Sequence, residues 1–123
     1  MSDHDTPLAE LRGLVADFVA ERDWGQFHTP KNLSVSLAIE AAELMEHFQW
    51  LTPEQSRSVV DKPDKLAEVG DELADVLCYA LALANELRLD VTTCVRNKMV
   101  KNAQKYPAEE FRGRFGEDDK GDG

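Results

Sequence analysis

The chain has 123 residues, and its 24 acidic and 14 basic side chains give a formal net charge of −10. This length predicts one globular domain, and the negative charge argues against a broad electrostatic grip on nucleic acid or an anionic membrane. Two cysteines without a spaced framework favour reduced thiols, and the N-terminal MSDHDTP lacks the features of a signal peptide. We therefore expect a cytoplasmic protein with no membrane-spanning segment.

Apolar residues recur at helical spacing along the chain, and no stretch alternates convincingly as a strand does. The pattern predicts an all-α bundle of four to five helices in a single domain over residues 1–110, followed by a flexible tail at 111–123. Prolines and capping residues set the expected boundaries. The expected helices are Pro7–Arg22, Leu33–Leu51, a short helix capped by Thr52, Asp64–Leu89, and Val91–Lys105 capped by Asp90.

Acidic side chains border the apolar face of two of these helices. Glu40 and Glu43 lie on one flank of the second helix, and Glu72 and Asp75 share an arc of the long helix. Such an arc is usually a solvated face. Here it continues into VLCYALALA, which is apolar all round and is therefore expected to be buried on every side.

Two helices that face each other with these acids would bring four carboxylates together. Like charges about 4 Å apart repel by roughly 4 kcal/mol at an effective dielectric constant near 20, so a proton or a cation must relieve the repulsion. Oxygen ligands select hard ions such as Mg²⁺ or Mn²⁺, and Mg²⁺ commonly bridges carboxylates to phosphate. The arrangement indicates metal-assisted phosphoryl chemistry.

The last helix contains basic residues in a strongly acidic chain. Lys98, Asn102 and Lys105 are spaced i, i+4, i+7 and share one face, where they could hold phosphates. A solvated basic face explains the same spacing, and from these residues alone we favour it slightly.

Aromatic residues provide candidates for binding a planar base. Trp24 and His28 lie in the irregular segment after the first helix, and Trp50 ends the second helix. Tyr79 lies one turn beyond Asp75, so its hydroxyl could reach the acids. Tryptophans near helix ends are more often core anchors, and Tyr79 could equally find a partner in the core.

Four blocks of sequence, ERDWGQFHTPKNL, EAAELMEHFQW, DELADVLCYALALA and NKMVKNAQKYP, occur in that order between about Leu11 and Pro107. With Glu40-x-x-Glu43 and Glu72-x-x-Asp75 inside them, they resemble the all-α NTP pyrophosphohydrolases of the MazG-like superfamily, and in particular its dCTP pyrophosphatase branch. The resemblance implies Mg²⁺-dependent attack of water on the α-phosphorus of dCTP or a modified dCTP, releasing pyrophosphate and a nucleoside monophosphate. It also implies a homodimer or a homotetramer made of two dimers.

The resemblance carries site residues over by position. The acids expected to bind metal and support catalysis are Glu40, Glu43, Glu72 and Asp75. The residues expected to contact the substrate are Trp24, His28, Trp50, Tyr79, Lys98, Asn102, Lys105 and Tyr106.

A second register of the bare motif, Glu43-x-x-Glu46 with Glu68-x-x-Asp71, also exists. We prefer the first register because Asp75 adjoins the apolar turns, where a charge most needs a cation.

Three other functions stay open at this point. A broad house-cleaning dNTP pyrophosphatase would use the same acids with a more permissive pocket. A di-iron carboxylate bundle typically needs two Glu-x-x-His pairs, and His47 is the only histidine near the acids. A non-catalytic helical interaction module would explain the charge, but neither the basic last helix nor the aromatic segment.

Overall fold

The computed structural model describes residues 1–114 and contains six α-helices and one 3₁₀ turn in that part of the chain, with no strand. The all-α prediction is therefore confirmed. The elements are α1 (Leu8–Glu21), α2 (Pro30–Glu46), α3 (Pro53–Arg57), the 3₁₀ turn Ser58–Asp61, α4 (Pro63–Leu87), α5 (Val91–Lys105) and α6 (Ala108–Phe111).

The start of α2 differs from the prediction because Pro30 begins the helix rather than breaking the chain. The Thr29 side chain accepts a hydrogen bond from the Asn32 backbone N–H, and Pro30 occupies the first turn, where its missing N–H costs nothing. The helix also ends earlier than expected, at Glu46. The backbone N–H of His47 bonds to the carbonyl of Leu44, so the last turn tightens before Trp50.

The other predicted caps are present. The side chain of Thr52 accepts from the backbone N–H of Gln55, whose own side chain accepts from Thr52 in return, which makes a complete capping box at α3. Asp90 caps α5 through the backbone N–H of Thr93, 3.1 Å away. At the other end of α4, Arg88 adopts a left-handed φ of 56° and ends the helix.

The chain forms two compact units, residues 1–88 and the residues from Leu89 onward. In the first unit α4 is the central helix, and both α1 and α2 pack on it. The end of α2 meets the start of α4, where Lys65 Nζ lies 2.8 Å from His47 Nδ1. The start of α1 meets the end of α4 through Arg12 and Asn85. Both helices therefore run antiparallel to α4.

The buried core of the described residues is small, consisting of Leu33, Val59, Ala82 and Ala84. The expectation that VLCYALALA is buried on every side is wrong. Leu77 is 55% exposed and Cys78 is also exposed. The reason is geometric: α1 and α2 cover only part of α4, so its remaining apolar face has no cover among the elements of this unit.

The second unit contains α5 and the short helix α6, which we did not predict. The rings of Tyr106 and Phe111 meet edge to face with centroids 5.2 Å apart, which anchors α6 to the end of α5. Of the expected tail at 111–123, residues 115–123 lie outside the described residues, whereas Phe111 belongs to α6. The division into a single domain and a tail stays a prediction.

Across residues 1–114, none of the helices combines the length and apolar character that crossing a membrane requires.

Candidate functional site

Three acids from α2 and α4 converge in the first unit. Glu40 and Glu43 are three residues apart and so share a face of α2, and Glu72 lies opposite them on the antiparallel α4. One carboxylate oxygen of each residue lies within 4.8 Å of the other two. This trio has the oxygen ligand atoms and the close spacing expected of a cation site.

The trio lacks internal compensation for its charge. Glu40 Oε2 and Glu72 Oε1 are buried and have no hydrogen-bond partner. The pKa of Glu40 is raised above its ordinary value of 4.5, mainly by the neighbouring Glu72 carboxyl and then by burial. The neighbouring Glu43 carboxyl partly offsets this rise in pKa, whereas the negative charges of Glu72 and Asp75 add to it.

Buried carboxylate oxygens normally accept a hydrogen bond from a nearby donor. Two neighbouring carboxylate oxygens that lack such a donor therefore need an explanation. Hard divalent cations bind carboxylate oxygens, so Glu40, Glu43 and Glu72 fit such an ion. A shared proton is the other way to relieve the repulsion, and the raised pKa of Glu40 reflects that alternative in the absence of a cation.

Asp75 lies one turn after Glu72 on α4. Asp75 is exposed and lies outside the trio, but its charge acts on Glu40. Its charge also contributes to a raised pKa of Cys78, which is caused chiefly by partial desolvation of the thiol where this otherwise exposed residue lines the cavity. Asp75 also lines the apolar cavity described next. Asp75 therefore lies on α4 between the trio of acids and the rest of the cavity lining of that helix.

A cavity of about 470 Å³ lies between α1, α4 and the segment that joins α1 to α2. This volume is within the usual range for small-molecule sites. Its lining is mostly apolar with a few polar groups, as in such sites. The lining residues are Leu14, Val15, Phe18, Val19, Trp24, His28, Asp75, Cys78, Tyr79 and Ala82.

A tight turn after α1 places the aromatic side of this cavity. Asp23 adopts a left-handed φ of 52°, and the Trp24 backbone N–H bonds to the carbonyl of Val19 at 3.0 Å. The ring of Trp24 meets Phe18 edge to face with centroids 5.6 Å apart, and its centroid lies 6.4 Å from that of His28. The turn therefore folds the two predicted ligand contacts, Trp24 and His28, over the end of α1.

The structure brings together some of the predicted site residues and not others. Trp24, His28, Tyr79 and Asp75 line one cavity, but Trp50 does not line it and is 87% exposed. The alternative acids Glu46 and Glu68 are outside the trio, and Glu68 instead lies 3.9 Å from Lys65.

The second unit holds the remaining predicted contacts. Lys98, Asn102 and Lys105 lie on α5, and Tyr106 follows it, with Lys105 Nζ 5.2 Å from the centroid of the Tyr106 ring. Asn102 is partly buried and its amide lies 3.8 Å from the sulfur of Met99. Their predicted role toward phosphates stays a prediction.

Sequence reasoning missed one wall of the cavity. The residues Leu14, Val15, Phe18 and Val19 of α1 form an apolar stripe at helical spacing, which is indistinguishable from a core-facing stripe. A signal was available on α4, where the spacing i, i+3, i+4, i+7 puts Cys78 and Ala82 on the same face as Asp75 and Tyr79.

Comparisons with known proteins identify the family to which this chain is similar. Residues 35–116 match the MazG-like family. A pyrophosphatase from Archaeoglobus fulgidus, known from its crystal structure, is similar in fold with a TM-score of 0.76 and 39% identity, over 87% of this chain and 98% of that chain.

Two curated relatives are also similar. The dCTP pyrophosphatase 1 of Rattus norvegicus is 42% identical over 106 residues, which cover 86% of this chain and 62% of that protein. The dCTP pyrophosphatase 1 of Homo sapiens is 45% identical over 101 residues, which cover 82% of this chain and 59% of that protein. The chain thus spans about 60% of the length of the curated relatives it matches. The family match covers most of the chain, including all four acids, and we conclude that this chain belongs to the MazG-like family.

Proposed function

We propose that this chain is a metal-dependent nucleoside triphosphate pyrophosphohydrolase that cleaves dCTP, or a modified dCTP, to the monophosphate and pyrophosphate. The observation that carries the proposal is the pair of buried, unpartnered carboxylate oxygens of Glu40 and Glu72. Asp75, one turn after Glu72, lines the cavity. The names of the relatives, dCTP pyrophosphatase 1 and a pyrophosphatase, support the choice of reaction and base.

The cation is proposed to be Mg²⁺, with Mn²⁺ as an alternative, because the donors in the trio are all oxygens. Glu40, Glu43 and Glu72 would hold it, together with Asp75 one turn further along α4. When bound, such an ion polarises a phosphate and lowers the pKa of a bound water. The carboxylates keep the ion in place, and one of the glutamates orients the attacking water.

The cavity is proposed to hold the base and sugar. Trp24 offers an aromatic face for stacking, His28 offers ring nitrogens for a polar edge of the base, and Tyr79 offers a hydroxyl. Trp50, which was expected to share this role, is exposed and outside the cavity. Its assignment therefore requires a second copy of the chain.

The phosphates beyond the reach of the cation are assigned to Lys98, Asn102, Lys105 and Tyr106. This assignment is supported by the resemblance and by the positive charge of α5. That helix contains four basic residues and no acidic one, namely Arg96, Lys98, Lys101 and Lys105. Ammonium groups and amides donate well to phosphate oxygens. Residues 1–110 would then act as one domain.

A homodimer, or a tetramer of two dimers, is proposed from the uncovered face of α4. Leu66, Leu73 and Leu77 are 43%, 46% and 55% exposed, and they follow helical spacing with Gly70 between them. No atom lies within 4 Å of the position that a Cβ would take at Gly70, so another helix could approach closely there. Such an apolar stripe is typical of a surface that a partner covers.

Two other readings of the site differ in their consequences. A broad house-cleaning dNTP pyrophosphatase would use the same acids with a more permissive pocket, and the cavity volume does not separate it from a narrow enzyme because the cavity is proposed to hold the sugar as well as the base. A non-catalytic interaction module would leave the unpartnered oxygens of Glu40 and Glu72 without a purpose. The proposed location is the cytoplasm, which keeps Cys78 and Cys94 as the free thiols observed.

The test is to incubate the purified protein with each of the four common dNTPs and Mg²⁺ and to identify the products by phosphorus NMR. Pyrophosphate and dCMP from dCTP, abolished by EDTA, support the proposal. Orthophosphate and a diphosphate contradict the mechanism, and absence of turnover with every dNTP favours the interaction module. Similar rates with all four bases support the broad enzyme. Light scattering coupled to gel filtration measures the oligomeric state in the same buffer.

A further inference from the structure

A polar stripe continues beyond the acid trio along the contact between α2 and α4. Glu40, Glu43 and His47 follow the spacing i, i+3, i+7, and His47 keeps helical backbone angles at the end of α2, so the three share one face. Lys65 and Glu72 share one face of α4 in the same way. Because the helices are antiparallel, the acids meet toward one end of the contact. Toward the other end, Lys65 Nζ lies 2.8 Å from His47 Nδ1.

The Lys65 ammonium group joins the two helices at this end. An ammonium group only donates hydrogen bonds, so the unprotonated Nδ1 of His47 is the acceptor. A carboxylate oxygen of Glu68, one turn along α4, lies 3.9 Å from the same ammonium group. His47 and Lys65 are both half-buried, whereas the Glu68 side chain is 64% exposed. The bond to His47 is therefore the better shielded contact and the one that crosses between the helices.

This bond lies close to the acid trio. His47 follows Glu43 by about 6 Å along α2, and Lys65 precedes Glu72 by about 10 Å along α4. In the metal-free protein the like charges of the trio push the two helices apart, and a hydrogen bond beside them resists that displacement. The separation matters because Mg²⁺ demands near-ideal octahedral geometry from its ligands.

We propose that Lys65 and His47 are positioning residues for the cation, because their hydrogen bond holds α2 at the distance from α4 at which the acid trio shares one ion. The inference rests on the proposed function and deepens it by giving a role to two residues outside the site. It differs in sign from an effect of charge alone. As a bare positive charge about 10 Å away, Lys65 would weaken the binding of a divalent ion by about two- to fourfold, whereas the hydrogen bond strengthens it.

The experiment titrates the nucleotide-free protein with Mn²⁺ and follows the electron paramagnetic resonance signal of free Mn²⁺, which is lost on binding. His47→Leu removes the acceptor and keeps the charge of Lys65. We expect it to raise the Mn²⁺ dissociation constant about fivefold, less than the roughly 10- to 100-fold typical where a group bonds directly to a metal ligand. His47→Asn puts a carbonyl oxygen near the place of Nδ1 and should restore the dissociation constant to within about twofold of the wild-type value.

Lys65→Met, alone and combined with His47→Leu, separates the bond from the charge. In the wild-type background this change removes both, so its two effects oppose each other. In the His47→Leu background the bond is already absent, and the change should tighten Mn²⁺ binding by about two- to fourfold. Equal effects of Lys65→Met in the two backgrounds would overturn the inference, because residues that act through a shared bond are coupled.

Asn85→Ala is the matched control. It also breaks hydrogen bonds between two helices of this unit, but those bonds join α1 to the C-terminal end of α4. It should lower the stability and leave the Mn²⁺ dissociation constant within about twofold of the wild-type value, as expected of a distant site. The inference is wrong if Asn85→Ala weakens Mn²⁺ binding as much as His47→Leu does, if His47→Leu binds Mn²⁺ like the wild-type protein, or if His47→Asn binds it no better than His47→Leu.

The same titrations separate this inference from the proposed function. Mn²⁺ binding that His47→Leu weakens, in a protein that hydrolyses no dNTP, supports the inference and refutes the proposed function alone. Turnover of dCTP, together with equal Mn²⁺ dissociation constants for the wild-type protein and His47→Leu, refutes the inference alone. A wild-type protein that binds no Mn²⁺ overturns the inference whatever the nucleotide assay gives.

Discussion

Replacing Glu40 by glutamine removes one charge from the trio of Glu40, Glu43 and Glu72 and should stabilise the metal-free protein. At separations up to 4.8 Å, each like-charge pair costs about 0.9 kcal/mol at the dielectric constant of water and about 3.5 kcal/mol at an effective value near 20. Glu40 takes part in two such pairs. Because Glu43 is exposed and water therefore screens its charge, we take the lower value and expect a gain of about 1–2 kcal/mol at about pH 7.

The titration of Glu40 makes the stability of the metal-free protein depend on pH, and the direction of its pKa shift gives the sign of that dependence. In the unfolded chain Glu40 titrates near 4.5, and in the folded protein its pKa is higher. Between the two values the folded protein binds more protons, so its stability falls as the pH rises through that window and the contribution is fully present only below 4.5. Glu40→Gln lacks this titration and should show a flatter profile.

Urea unfolding followed by circular dichroism, in EDTA at about pH 4 and about pH 7, measures both quantities. Glu46→Gln is the matched control, because Glu46 is an exposed acid on the same helix but outside the trio, and its stability should change little. Adding Mg²⁺ should stabilise the wild-type protein by mass action and Glu40→Gln much less. A metal-free Glu40→Gln protein that is less stable than wild type at about pH 7 would refute the reasoning.

Two further changes test other parts of the structure. Glu43→Gln should remain folded by circular dichroism and lose nearly all Mg²⁺-dependent pyrophosphate release from dCTP; undiminished release would rule out Glu43 as a ligand. Asn85→Ala removes both hydrogen bonds to Arg12 and should lower the free energy of unfolding by about 1–3 kcal/mol, measured in urea. A change below about 0.5 kcal/mol would show that these bonds add no more than an ordinary surface contact.

The sequence predicted local structure well where one residue carries the signal. Asp90 and Pro107 bracket α5, and its observed bounds, Val91–Lys105, are the predicted ones. The start of α2 was missed because Pro30 has two meanings: it can break a helix or occupy its first turn, and the Thr29 side chain decides between them.

The site was predictable only in part. The i, i+3 spacing of Glu40 and Glu43 puts both on one face of a helix, but their approach to Glu72 depends on how α2 packs against α4, which local sequence does not specify. The α1 wall of the cavity was missed for the same reason, because Phe18 and Val19 look like core residues until their neighbours are known. The exposure of Leu77 contradicts the expectation of complete burial. An apolar helix indicates that its surface should be buried, but the sequence does not say which element or which partner buries it.

The acid trio, the cavity and the exposed apolar face of the first unit all include residues of α4. Glu72 belongs to the acid trio, Asp75 and Ala82 line the cavity, and Leu73 and Leu77 lie on the exposed apolar face of the same stretch of about three turns. A helix transmits displacement along its length because its backbone hydrogen bonds hold it as one body. Any partner that covers Leu73 and Leu77 therefore acts on the element that positions both the carboxylates and the cavity wall. In the proposed enzyme, assembly and activity should be lost together: Leu77→Lys should lower the oligomeric state in light scattering and reduce dCTP turnover, although Leu77 touches neither site.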